Sequence, residues 1–200
     1  MTKVIFDISM SLDGFITAAN RRPEEPMGNG GERLHEWAFE GGERDREVME
    51  AGLASIGAVI TGRRNYEDSL PWWGSDGPTG PARLPVFVLT HEIPAVVPEN
   101  TREGGGGDVY TFVDSGIEDA LKQAQAASDD NDVCVMGGAS IGQQYLAAGL
   151  VDEISIHLVP VLFGTGTRML ENINSGHVQL EPLKVINTPH ATHLRYRIAK

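Results

Sequence analysis

"DVCVMGGASIGQQYLAAG", residues 132–149, decides how the chain folds. Its apolar start, ending at Met136, reads as a buried strand. Gly137-Gly138 breaks it, Ile141, Tyr145 and Leu146 then share one helical face, and Gly149 stands where a helix ends. A strand running through a tight turn into a helix is the repeating unit of a parallel α/β sheet. Two glycines at that turn let the backbone approach a ligand, because no Cβ intervenes. The helix's first N–H groups and positive dipole end would favour an anion there, with Ser140 adding a hydroxyl. The stretch is neither a P-loop nor a G-x-G-x-x-G turn, and no lysine follows, which argues against a nucleoside triphosphate with Mg²⁺. It reads as a phosphate cradle or as a plain tight turn.

The same alternation fills the rest of the chain. Strand-like runs occupy 3–11, 57–61, 85–90, 108–113, 132–136 and 153–163, with two more at 178–188 and 192–199. Several are almost continuously apolar, which suits central strands covered on both faces. Helical patterns lie at 41–57, where Val48, Met49, Leu53 and Ile56 share a face, and at 114–128, where Ser115 and Glu118 have capping-box spacing. No helix separates the last two runs, which predicts an antiparallel hairpin at the C-terminal edge of a mostly parallel sheet. Segments 16–32 and 70–83 are rich in glycine and proline and read as loops over a site, and glycines 104–107 as a turn. The length predicts one domain over 1–200, with no internal repeat.

The chain carries 28 acidic against 16 basic residues, a formal net charge of −12. Nucleic acids and anionic membranes reward basic surfaces, so neither is an expected partner. Cys134 is the single cysteine, so no internal disulfide forms, and its place in an apolar run reads as core. A strand-like run follows Met1 directly, no apolar stretch approaches a membrane span, and a cytoplasmic protein is expected. No metal site is expected.

Three more stretches place chemistry at strand ends. In "AVITGRRNYED" (58–68) a strand runs through Thr61 and Gly62 to Arg63-Arg64, a pair that can fork onto a phosphate monoester or pair with Glu67 or Asp68 instead. In "VFVLTHE" (86–92) Leu89, Thr90 and His91 close a strand, and in "ISMSLDGFIT" (8–17) Asp13-Gly14 is a turn signal whose acid either serves a site or stabilises the turn. Ligands of open α/β sheets bind at the carboxyl ends of the strands. Four such signals on one edge suit a ligand with several phosphates, one of them isolated, which is the shape of NADPH.

These stretches, "SMSLDGFI", "TGRRNYED", "VFVLT", "VMGGASIGQQYL" and "VDEISIHLVPVLFGTGTRML", occur in an order that resembles the dihydrofolate reductase-like superfamily, in the branch of the riboflavin-biosynthesis reductase C-terminal domain. The resemblance covers roughly residues 3–199 and implies a three-layer α/β sandwich with NADPH across the carboxyl edge of its sheet. It implies that Gly62, Arg63 and Arg64, with Thr61, Leu89 and Thr90 beside them, face the adenosine 2′-phosphate. Met136, Gly137, Gly138, Ala139, Ser140, Ile141 and Gly142 would hold the pyrophosphate, and Ser9, Gly14 and Ile16 would lie near the nicotinamide with His157 directed toward them. It also implies a homodimer built through the late strands.

The chain departs from that branch at three points. Met136 stands where the riboflavin-pathway reductases carry an acidic residue, "NYEDSLPWW" (65–73) lacks their Asp-Asp-Pro pattern, and no zinc-binding deaminase half is seen in these residues. In "ERLHEWAF" (32–39) Trp37 and His35 are candidates for a substrate wall, with Trp37 as core beside Phe39 the other reading. The expected activity is an NADPH-dependent hydride transfer to a C=N, C=C or C=O bond of a small, cyclic substrate. His157, Asp13, Asp45 or a bound water would supply the proton. The alternatives are an NADP(H)-binding sensor without turnover, and a binder of flavin or another nucleotide.

Overall fold

Branched and aromatic side chains pack well on a pleated surface, and the apolar runs of the chain form its strands. The computed structural model describes residues 2–94, 109–171, 173 and 177–199. The first half runs β1 (Val4–Ser11), β2 (Phe15–Ala18), α1 (Glu36–Phe39), α2 (Glu43–Leu53), β3 (Ile56–Gly62), α3 (Arg63–Trp73) and β4 (Val86–Leu89). The second runs β5 (Tyr110–Val113), α4 (Ile117–Ala127), β6 (Asp132–Met136), α5 (Ala139–Ala147), β7 (Glu153–Val159), β8 (Gly166–Arg168), β9 (Leu180–Asn187) and β10 (Thr192–Ile198).

Eight strands form one sheet in the order β5-β4-β3-β6-β1-β7-β10-β9. The six from β5 to β7 are parallel, and β10 lies antiparallel to both β7 and β9. This is the mostly parallel sheet with a C-terminal hairpin that the sequence predicts. The crossover helices cover both faces, as parallel strands require. Among the described residues no helix is long and apolar enough to cross a membrane.

Alternation along β1 divides the molecule. Val4, Phe6 and Ile8 point into a core closed by Ala120, Leu121 and Ala124 of α4 and by Tyr145 and Leu146 of α5. Ile5, Asp7 and Ser9 point to the other face. There α3 covers β3 to β5 through Tyr66, Val59, Val86, Val88 and Tyr110. Tyr145 ties α5 to the start of α4, its hydroxyl donating to the Ile117 carbonyl at 2.7 Å. Helix α5 ends in a Schellman motif: the Gly149 N–H donates to Leu146 and the Leu150 N–H to Tyr145, with Gly149 at φ 68°.

Four local expectations are corrected. Residues 15–18 form β2, which pairs with β8, although both strands are too short to read alone. Leu70 to Trp73 complete α3, with Pro71 near its C-terminal end, so the loop starts later than expected. Ser115 donates to the Asp119 carboxylate, and Gly116 precedes α4 as its N-cap without a side-chain cap, so no capping box forms. Ile56 begins β3 and does not belong to the face of α2. Glycines 104–107 and residue 108 lie outside the described residues.

Gly142 shows how tight the buried face is: a Cβ there would stand 2.0 Å from the Phe6 ring. Alanine normally gains about 1 kcal/mol over glycine inside a helix. Overpacking works against that gain and costs roughly 1–3 kcal/mol. Gly142→Ala is expected to lower the urea midpoint with an unchanged m value; a higher midpoint would show that α5 yields at this contact.

Candidate active site

Two helices begin at the carboxyl ends of neighbouring strands. Gly62 ends β3 and precedes α3; Gly137-Gly138 follows β6 and precedes α5. Neither helix start has a side-chain cap, so the first N–H groups of both are left for a ligand or water. Gly137 is at φ 65° and Gly138 at φ 76°. A Cβ on Gly137 would lie 2.2 Å from the Asn65 amide, in the first turn of α3. Asn65 is itself held, its Nδ2 donating to Thr61 Oγ1 at 3.0 Å. Gly137 is therefore required for its backbone angle and for the approach of the two helix starts.

Both starts open on one cleft of about 1720 Å³. One edge of it includes Arg63, Arg64, Thr90, His91, Gly138 and Ser140. The two arginines differ. Arg63 is held by Glu67, donates to the Glu92 carbonyl at 3.3 Å and reaches Thr90 Oγ1 at 3.5 Å. Arg64 is exposed and makes no ion pair among the described residues. The sequence left phosphate and local acid as alternatives for the pair, and in the structure Arg63 takes the acid while Arg64 stays open.

The floor of the cleft is polar. Asp7 and Ser9 on β1, Ser155 and His157 on β7, and His193 and Arg195 on β10 line it. Nδ1 of His157 stands 2.7 Å from Nδ1 of His193. Nε2 of His157 lies 3.4 Å from Asp7 Oδ2, and Nε2 of His193 lies 3.3 Å from Asp45 Oδ1. The other Asp45 oxygen is 3.4 Å from His190 Nδ1 and accepts the Gly42 N–H at 3.0 Å. Trp37 lies over His157 with ring centroids 4.0 Å apart, its indole N–H donating to Ser9 Oγ at 2.9 Å. Asp45 is the buried residue of α2, while Val48, Met49 and Leu53 of that helix line the cleft.

Burial acts to raise the Asp7 carboxyl, but the charge and hydrogen bond of His157, the Ser155 hydroxyl and Arg195 bring it below its ordinary range. Asp45 follows the same pattern: burial raises it, and Thr188, His193, the Gly42 N–H and His190 together outweigh that. Burial, then the neighbouring His157, lower His193. His35 is lowered by burial first and by His157 second. Burial pushes the Cys134 thiol far up, as suits a core residue.

Among the residues singled out from sequence, the cleft is lined by Ser9, Ile16, His35, Trp37, Gly62, Arg63, Arg64, Leu89, Thr90, Met136, Gly137, Gly138, Ala139, Ser140, Ile141 and His157. Five stand back from it. Thr61 is buried behind Asn65, Gly142 packs on Phe6, and Gly14 sits in the turn after β1. Asp13 is committed to its own loop, accepting from the Ser11 hydroxyl and the Phe163 and Gly164 N–H groups, and these bonds hold its carboxyl low. Asp45 reaches the cleft only through His193. Trp37 does both things expected of it: it is buried in a core cluster with Leu34, Val159 and Ala191 and also lines the cleft, while Phe39, 83 % exposed, takes no part in that core. Asp7, His190 and His193 were missed. Asp7 alone carried a signal, as a charge inside an otherwise apolar run.

The family model described as "RibD C-terminal domain" matches residues 2–194. The uncharacterized protein YyaP of Bacillus subtilis is 23% identical over 195 residues, covering 93% of this chain and 87% of its own. A structure of a putative riboflavin biosynthesis protein from Shewanella sp. PV-4 superposes with TM-score 0.71 at 19% identity, over 100% of both chains. Dihydrofolate reductase from Enterococcus faecalis, complexed with NADP(H), gives 0.58 at 14% identity over 99% of this chain and 97% of that one. The fold is thus dihydrofolate reductase-like. The bifunctional deaminase/reductase from Thermotoga maritima gives 0.65 at 14% identity, and this chain matches 57% of it.

Asp7 and Asp45 both ionise below the ordinary carboxyl value of 3.8 in the folded protein. A lowered folded pKa contributes stability that is present above the unfolded value and lost as the pH falls toward the folded one. The melting temperature is expected to hold above about pH 5 and to drop progressively below about pH 4. In Asp45→Asn the acid drop should be shallower and the neutral-pH melting temperature lower. An acid limb identical to wild type would remove Asp45 from this balance.

Proposed function

The chain belongs to the RibD C-terminal domain family, and from that premise we propose that it is an NADPH-dependent reductase of a small, cyclic substrate. The observation that carries this reading is the pair of uncapped helix starts at neighbouring strand ends, opening on one cleft beside Arg64, which has no ion pair among the described residues. A pyrophosphate suits the α5 start, where Gly137 and Gly138 expose backbone and Ser140 a hydroxyl. A 2′-phosphate suits Arg64, with Arg63 and Thr90 fixing that edge. The nicotinamide would then lie toward Ser9 and Ile16. Bound there, the cofactor supplies a hydride.

The chain's own residues bind, orient and exclude water. Trp37 and the apolar side of α2 form the walls, and Asp7, Ser155 and Arg195 offer polar contacts from the floor. His157, buried and within reach of Asp7, is the side chain proposed to supply the proton. The cleft stays open between segments 32–47 and 70–83, which supports turnover over a sensor that only binds the nucleotide. Met136 at the cleft in place of an acidic residue favours a substrate other than the riboflavin-pathway pyrimidine. A homodimer through the hairpin, working in the cytoplasm, completes the reading. Edge strand β9 exposes Leu183 at 40% and Val185 at 59%, and a second copy would cover them.

Fluorescence titration is expected to show NADPH binding at micromolar levels or tighter, and its absence would sink the reading. Arg64→Ala should weaken NADPH about 10- to 100-fold, the loss of one or two charge-assisted hydrogen bonds, with NADH unaffected. An unchanged preference between the two would move the 2′-phosphate elsewhere. Light scattering on the eluting protein should give twice the 21.6 kDa chain mass, and Val185→Glu should return it to a monomer.

A further inference from the structure

Resting on the reductase reading, we propose that His157 and His193 form one proton store, holding a single excess proton between two carboxylates and delivering it through Asp7 to the heteroatom of a C=N or C=O bond.

The proton count follows from the geometry. The two Nδ1 atoms are 2.7 Å apart, a separation at which two bare lone pairs repel and a shared proton binds. Each Nε2 faces a carboxylate, Asp7 for His157 and Asp45 for His193, and an ionised carboxylate only accepts. Satisfying both carboxylates and the Nδ1 contact takes three protons on four ring nitrogens. Two neutral imidazoles carry two, so the pair holds one in excess. A fourth would set two imidazolium N–H groups against each other. The Trp37 ring over His157 is a second, independent observation, because an aromatic face attracts a cation.

The charged and titratable neighbours weigh on both sides of that count. Asp7 from β1 and Asp45 from α2 favour the excess proton. Arg195 from β10 is held by Glu153 of β7, which also takes Lys3, so two cations share one carboxylate, and the charge left over favours the ionised form of Asp7. His35 lies on the turn before α1, lowered by burial and by the charge of His157. The Cys134 thiol on β6 stays protonated. His190, from the turn between β9 and β10, touches Asp45 and not the pair. Asp45 is thus a positioning residue: it keeps the His193 Nε2–H in place and turns the Nδ1 lone pair toward His157.

Delivery balances as follows. A bound NADPH would supply the hydride for a new C–H bond at the substrate carbon, and the π electrons of C=N or C=O would move to the heteroatom. The proton leaves His157 Nε2 for the Asp7 carboxylate and passes to that heteroatom, forming N–H or O–H. The hydride donor, if bound, would leave oxidised by two electrons; the pair is left neutral, and water reloads it through the open cleft after product release. Thirty-one per cent of the Asp7 side chain is accessible, so the acid meets the substrate while the histidines stay dry. An isolated C=C bond has no heteroatom to take this proton, which narrows the substrate to an imine or a carbonyl compound.

Long-range ¹H–¹⁵N spectra of histidine-labelled protein, without ligand, test the store. At neutral pH three of the four ring nitrogens of the pair should carry protons, and the pair should titrate in two separated steps. Asp7→Asn and Asp45→Asn should each lower the first step by about 1–3 pH units. His190→Gln, at a half-exposed site, should shift it less, which guards against misfolding of the buried variants. Two neutral rings at neutral pH, or two independent titrations near about 6.5, would overturn the proposal. An NADPH titration of the same sample separates the two readings: no binding refutes the reductase and leaves the proton count intact.

Discussion

The bond from Asp45 to His193 organises the half of the molecule where the cleft lies. A surface helix is normally fixed by an apolar stripe pressed on the sheet. Helix α2 has such a stripe in Val48, Met49 and Leu53, but all three border the cleft, Met49 alone packs on the cluster of Leu34 and Trp37, and the buried residue of the helix is a carboxylate. The helix is therefore held near the sheet by Met49 and by polar contacts at its N-terminal end, to His193, His190 and the turn before it. That leaves a gap over β1 and β7 which close packing would have closed.

The opposite face obeys ordinary rules. Phe6, Ile60, Val133 and Tyr145 are fully buried, and Gly142 is small because Phe6 needs the room. The two faces share the same strands, so a single alternation along β1 assigns Phe6 to the core and Asp7 to the cleft. One rigid layer thus supports both tight packing and an exposed polar floor, the arrangement that holds reacting groups in place.

The sheet was legible because its strands are apolar runs separated by helical periodicity, and that information is local. The carboxyl edge was legible for the same reason: Gly62, Arg63, Arg64, Gly137 and Gly138 follow strands directly. Strands β2 and β8 were not, because three- and four-residue strands are stabilised by the partner they find. The floor was the hardest part. His157 was legible in its strand, but His193 is 36 residues away and Asp45 lies 148 residues before it; the β7–β10 register pairs the two histidines, and the docking of α2 adds Asp45. Asp13 misled because Asp-Gly marks a turn and a site equally well; here its carboxylate closes the loop. Asp45 was legible as a candidate acid, but not as the support of a histidine.

The uncovered side of α2 has a consequence for the life of the protein in the cell. Whatever fills the cleft completes the hydrophobic layer that the chain leaves unfinished, so a ligand acts as a missing piece of the interior. Occupancy and folding then become one equilibrium, in which each tenfold excess of ligand over its dissociation constant adds about 1.4 kcal/mol to the native state. The abundance of the protein would rise and fall with the supply of the compounds it binds, without any change in its synthesis.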